Sequence, residues 1–168
     1  MRRYDVTKLG SYDRLAWLFV AVFVLHNFEE GLFLPGFLAS APLIHYPAGP
    51  TEFRFALIAL TAPSPVLAWL SVRRNRMATI IHCGYALAMA LNVFVPHLIG
   101  TIALRTYLPG VVTAVALVLP VSLLMLRQAV REARLDLRAF AWAGPLTVLA
   151  MAASIPMLFA LGRLLLGG

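Results

Sequence analysis

Five separate stretches of this chain are apolar for about 20 residues each, the length at which a helix crosses the hydrocarbon of a bilayer. They run from about Asp13 to Leu38, Glu52 to Val72, Met77 to Gly100, Leu108 to Leu126 and Phe140 to Leu161. A soluble domain of 168 residues cannot bury a sequence that is 61% hydrophobic, 12% charged and +0.86 in mean hydropathy. Lipid cannot satisfy backbone polar groups, so each stretch must form its own hydrogen bonds as a helix. The expected fold class is therefore all-α: a polytopic membrane helix bundle of about five transmembrane helices, forming one domain over residues 1–168. Pro63 and Pro65 predict a kink in the second helix. Pro109 is expected in the first turn of the fourth.

The formal charge of +7 has a membrane explanation and does not imply a nucleic-acid partner. Arg2, Arg3, Lys8 and Arg14 precede or open the first helix. Arg73, Arg74 and Arg76 lie between the second and third, and Arg127, Arg131, Arg134 and Arg138 between the fourth and fifth. With five helices these groups share one side, which predicts a cytoplasmic N-terminus and an outside C-terminus. The spacing 127, 131, 134, 138 is helical and predicts an interfacial continuation of the fourth helix with solvated, snorkelling arginines. Ala39-Ser40-Ala41 resembles a signal-peptidase site, but HNFEE interrupts the apolar run before it, so the segment is read as a retained first helix. A lone Cys83 excludes an intramolecular disulfide.

The first apolar run contains an anomaly, "LHNFEEG". His26, Glu29 and Glu30 sit at i, i+3 and i+4, one turn apart on one broad helix face. Ionisable groups at this depth cost at least a few kcal/mol each, so they must face the bundle interior and find partners. Counting about 1.5 Å per residue from the same end of the third helix places Asn92 at the depth of Glu30. His97 follows one to two turns further out, after Pro96. The expected cluster is His26, Glu29, Glu30, Asn92 and His97, with Arg105 from the next connection. Two imidazoles and a carboxylate suit zinc or iron, with His26, Glu30 and His97 as ligands. The other glutamate, Glu29, is expected as general base, and Asn92 and Arg105 as further catalytic residues. The bland alternative is an ion-pair and hydrogen-bond network, with one glutamate on Arg105, a histidine on the other glutamate and Asn92 as a bridge.

Other polar residues point to less. His82 lies on another level and reads as a satisfied or interfacial histidine. His45 reads as an ordinary loop residue. Trp17, Tyr46 and Tyr107 read as interface aromatics, and Tyr85 and Met89 as core. Ser64 and Ser154 lack a triad arrangement. The fifth helix, without an ionisable group between Arg138 and Arg163, reads as scaffold or lipid-facing surface.

The motif His26-Asn27-Phe28-Glu29-Glu30 resembles the signature of the HXXEE family of small bacterial integral membrane proteins. The stretches from Asn92 to His97 and from Arg105 to Gly110 resemble its downstream segments. The resemblance covers roughly residues 15 to 125. It implies a bacterial cytoplasmic (inner) membrane location and no particular activity. A weaker likeness is to the intramembrane CAAX-type metalloproteases, with Glu29-Glu30 as their glutamate pair and Phe94 to His97 near their second motif. Leu34 stands where that pattern has arginine, and the Phe94 to His97 spacing is one residue short.

Three functions follow as expectations. The first is an enzyme acting on a lipophilic or lipid-like substrate by metal-assisted hydrolysis or acid–base chemistry. The second is a proton- or ion-coupled carrier, and the third a non-catalytic accessory subunit. The expected partners are membrane lipid and the lipophilic substrate, with self-association as a homo-oligomer.

Overall fold

The structure, a computed structural model, describes residues 11–40 and 48–166. His45, Tyr46 and the basic residues 2, 3 and 8 lie outside them, as does part of the Ala39-Ser40-Ala41 stretch. The described residues form helices and no strand. In order these are α1 (Ser11–Ser40), α2 (Pro50–Thr61), α3 (Pro63–Val72), α4 (Arg76–Asn92), α5 (Ile99–Leu104), α6 (Val111–Thr113), α7 (Leu119–Arg131) and α8 (Leu137–Leu166). A wide π turn, Val93–Leu98, joins α4 to α5, and another, Ala114–Val118, joins α6 to α7. Together they make five rods long and apolar enough to cross a membrane: Ser11–Ser40, Pro50–Val72, Arg76–Leu104, Val111–Arg131 and Leu137–Leu166.

Proline explains where the rods bend. At Ala62 the backbone stays helical (φ −54°, ψ −35°), so Pro63 and Pro65 bend the second rod without ending it. Inside α1, Pro35 cannot donate to the carbonyl of Gly31, four residues back. The Arg54 side chain supplies the missing bond, its Nε donating to that oxygen at 2.9 Å. Pro96 has the largest effect, forcing Val95 into an extended conformation (φ −129°, ψ 113°), with a cis peptide between them.

The fourth rod starts later than expected. Leu108, Pro109 and Gly110 form a turn, with Gly110 at φ 92°, and helix begins at Val111. Pro109 therefore shapes the turn and does not open the helix. The arginine stripe also differs from expectation. Helix α7 ends at Arg131, Ala133 takes a positive φ of 52°, and Asp136 caps α8. The four arginines thus do not share one helix face. Arg134 turns inward and is buried.

The three arginine-bearing regions do gather at one end of the bundle. Arg134 donates to Asp13 Oδ1 at 2.8 Å and to the Ser71 carbonyl at 2.8 Å, and its guanidinium stacks 4.8 Å from the Tyr12 ring. Tyr12 Oη meets Ser71 Oγ at 2.6 Å, and Ser71 Oγ meets Thr79 Oγ1 at 3.0 Å. These bonds tie α1, α3, α4 and the α7–α8 turn together. Above them lies the main core, built on Phe19, Phe23, Val93, Val118 and Met125, with Tyr85 and Met89 within it as expected. Between α4 and α8, Gly84 faces Thr147 so closely that an added Cβ would fall 2.6 Å from the threonine Cβ. Small residues at such crossings let membrane helices approach.

Asp136 pairs with Arg76 at this basic end. The Ala139 N–H holds its carboxyl below the usual carboxylate range, and Arg76 and the Arg138 N–H act in the same direction against partial desolvation. Burial pushes neighbouring Glu132 up, but hydrogen bonds from Gln128 and the Tyr12 N–H, together with nearby arginines, leave it lowered. A depressed carboxyl pKa stabilises the fold above the unfolded value of about 4, and this is lost as pH falls through the folded value. Amide exchange over residues 132–140, corrected for intrinsic rates, is expected to stay flat from about pH 7 to 5 and to accelerate below about pH 4. Exchange that stays protected at low pH would contradict this anchoring.

Candidate metal centre and apolar chamber

The opposite half of the bundle holds the His/Glu cluster. The i, i+4 pair His26 and Glu30 points inward from α1, and both residues are buried. The π turn after Asn92 brings His97 to them from a second rod. Glu30 Oε1 lies 3.0 Å from His97 Nε2 and 3.7 Å from His26 Nε2. The two rings meet edge to face with centroids 4.9 Å apart. One ligand atom from each of the three residues lies within 4.8 Å of the others. Ligand atoms at about 2.0 Å from a tetrahedral zinc would be about 3.3 Å apart. The two Glu30 separations bracket that value.

Gly110 closes the cluster from the fourth rod. Its backbone passes so close that a Cβ there would sit 2.8 Å from His97 Cε1 and 3.2 Å from both His26 Cε1 and Glu30 Cγ. Only glycine combines this approach with a φ of 92°.

One turn further on, Thr113 reaches the back of His26. Its Oγ1 lies 2.9 Å from His26 Nδ1 and 2.5 Å from Glu29 Oε2. A carboxylate only accepts, so the threonine hydroxyl donates to Glu29 and accepts from His26 Nδ1–H. That assignment leaves the His26 Nε2 lone pair facing Glu30 and His97. A polar partner fixing the far nitrogen is a recurrent feature of histidine metal ligands. Thr113 was not expected as a site residue. Glu29 has two further, long contacts at 3.4 Å, from Tyr107 Oη and the Gly110 N–H. Partial desolvation, and then the Glu29 carboxylate beside it, raise the Tyr107 phenol above its ordinary pKa, so it remains a donor at neutral pH.

Of the six residues expected together, the structure unites His26, Glu29, Glu30 and His97. Arg105 is exposed and in the left-handed conformation that ends α5 (φ 49°, ψ 36°). Among the described residues it forms no bond with Glu29 or Glu30. No other arginine or lysine among them pairs with either glutamate, so the arginine-neutralised network is not what forms. Asn92 lies at the expected depth but faces a neighbouring cavity. His82, expected as satisfied or interfacial, is fully buried against the edge of Phe19 at 5.4 Å between centroids, and neither ring nitrogen has a partner among the described residues.

The cavity holds about 660 Å³ between α1, α2, the α4–α5 rod and α8, within the roughly 300–1,000 Å³ of small-molecule sites. Apart from Asn27, Glu30 and Asn92, its wall is apolar. Helix α8, read as scaffold, contributes Val148, Met151, Ala152, Ile155 and Phe159 to it. Asn27 donates to Thr61 Oγ1 at 2.5 Å, and Thr61 donates onward to the Leu57 carbonyl at 2.6 Å. Glu30 belongs to both cavity and cluster.

The sequence model of a family described as "Protein of unknown function with HXXEE motif" matches residues 17–125. That span holds His26, Glu29, Glu30, His97, Gly110 and Thr113. A Bacillus subtilis (strain 168) protein, "Uncharacterized protein YrkK", is 30% identical over 150 residues, covering 86% of this chain and 95% of the relative. No solved structure matches.

Proposed function

Since the chain belongs to the HXXEE-motif family, whose description names no reaction, we propose a function from the site itself: an intramembrane enzyme that hydrolyses a lipophilic substrate with a metal held by His26, Glu30 and His97. The observation that carries this reading is the convergence of three buried ligand atoms from two rods, with the Thr113–Glu29 pair fixing the orientation of one of them. The charge balance supports it. Buried Glu30 has His26 and His97 as its ion-pair partners and no arginine or lysine among the described residues, and a divalent ion held by all three would supply positive charge beside it. Zinc or iron fits the donor set. Such an ion polarises a carbonyl and lowers the pKa of bound water towards neutrality.

The chain's own residues then divide the work. Glu30 brings the ligand set to the cavity wall. Glu29 serves as a positioning residue, because it reaches Thr113 and not the triad. Asn92 offers its amide to a bound substrate. Arg105 has no part in this reading. We place the protein in a bacterial cytoplasmic membrane with its arginine-rich end inside, on the positive-inside rule.

Elemental analysis of protein purified without chelator tests the metal. About one zinc or iron per chain is expected in the wild type, and none in a His26→Ala, His97→Ala double variant. Thr113→Val keeps all three ligands but is expected to weaken metal affinity about 10- to 100-fold, with Thr113→Ser restoring most of it. Wild-type protein that stays metal-free after attempted reloading would overturn the proposal and leave proton-coupled transport by the same residues as the reading to pursue.

A further inference from the structure

The cavity's polar groups lie part-way along its length, with apolar wall on both sides of them. Along α1 its wall runs from Phe23 to Leu38, with Asn27 and Glu30 between them. At 1.5 Å per residue this leaves about 6 Å of apolar wall on the Phe23 side and about 12 Å on the Leu38 side. Along the α4–α5 rod Asn92 is likewise nearer to Ala88 than to Leu104. Ala88 and Val148 line the Phe23 lobe, and Ala56 and Phe159 the Leu38 lobe. Asn27 and Asn92 join Glu30 at the waist. Asn27 has committed a donor to Thr61. Asn92 has no hydrogen-bond partner among the described residues and lines the cavity, so its amide N–H groups are available to an occupant.

A single-headed amphiphile matches this shape poorly. Its head would have to sit at the waist, with one lobe left unfilled or its charge drawn away from water. We propose that the chamber binds a neutral lipid whose polar linkage, an ester, lies between two hydrocarbon arms. The linkage lies at the waist with its carbonyl accepting from Asn92, and one arm occupies each lobe. With an advance of about 1.3 Å per carbon, from C–C bonds of about 1.5 Å, the shorter lobe takes an arm of about five carbons and the longer lobe one of about nine or ten. The inference rests on the lipophilic-substrate reading above and specifies the class of that substrate.

Two constitutional isomers make the test direct. Pentyl undecanoate carries its ester between a short and a long arm, and palmitic acid carries its carboxyl at one end. Both are offered in tritiated form to the protein in lipid nanodiscs, with empty nanodiscs as background, and ester cleaved during the incubation is counted with ester retained. The ester is expected to bind at least tenfold tighter than the acid. Ala88→Phe fills one lobe and Ala56→Phe the other. Each is expected to lower ester retention at least tenfold while metal content stays at the wild-type level. Equal or tighter binding of the acid overturns the proposal, as does full ester binding in either variant. If a variant fails to fold, the isomer pair still decides. Metal without ester preference defeats only this inference, and ester preference without metal defeats only the hydrolase reading.

Discussion

Gly110→Ala is expected to empty the proposed metal centre while leaving the helices packed. Its Cβ would collide with His97 Cε1 at 2.8 Å and press on His26 Cε1 and Glu30 Cγ, both at 3.2 Å. His26 and His97 are fully buried. The backbone adds to the conflict, since a φ of 92° is one that residues with a Cβ rarely adopt. Strain of this kind costs on the order of 1–3 kcal/mol, and overpacking adds about as much again. The expected readout is at least a tenfold fall in bound metal, with unchanged helical circular dichroism and elution profile. Gly36→Ala is the control, because a Cβ there meets nothing within 4 Å. Full metal retention in Gly110→Ala would show that the three residues do not share one ion.

Arg134→Met is expected to be the most destabilising substitution at the basic end. It removes the guanidinium from a buried pair with Asp13 and from the Ser71 carbonyl at the end of α3. Methionine keeps much of the side chain's length, so the loss is electrostatic and not a cavity. Breaking a buried ion pair on one side typically costs about 3–5 kcal/mol, because the other charge stays behind. Thermal unfolding in detergent should move down by several degrees. Adding Asp13→Asn should return part of the loss, which a purely steric effect would not do. A single variant as stable as wild type would mean that the pair is solvated in the native protein.

The sequence carried a good part of this site. The i, i+4 spacing of His26 and Glu30 survives in any helix, and counting residues from a common end placed His97 near them. Thr113 gave no such signal. It sits in "VVTAVAL", where a threonine reads as an ordinary helix residue, and its importance depends on how the fourth rod meets α1. Asn92 and His97 are five residues apart, and the extended Val95 between them breaks the helical register by which one could be placed from the other. Arg105 was drawn into the cluster by charge complementarity alone. It ends a helix in the left-handed region, with no glycine to announce that turn. The arginine series failed for the same reason, since Ala133 has a positive φ where residue type predicts continued helix. Rods and spans were legible because hydropathy repeats over many residues. Turns decided by single backbone angles were not.

Glu29 and Glu30 are chain neighbours that look into different media. Glu29 lies against the exposed Tyr107 of the turn before α6, and Glu30 forms part of an apolar wall that includes the exposed Leu91 and Val95. On the proposed reading, water and lipid therefore reach the reacting bond from opposite sides of a single peptide link. Turnover in such an arrangement follows the mole fraction of substrate in the bilayer, not its amount in the vessel. Inert phospholipid added at constant total substrate would then act as a diluent and slow the reaction in proportion.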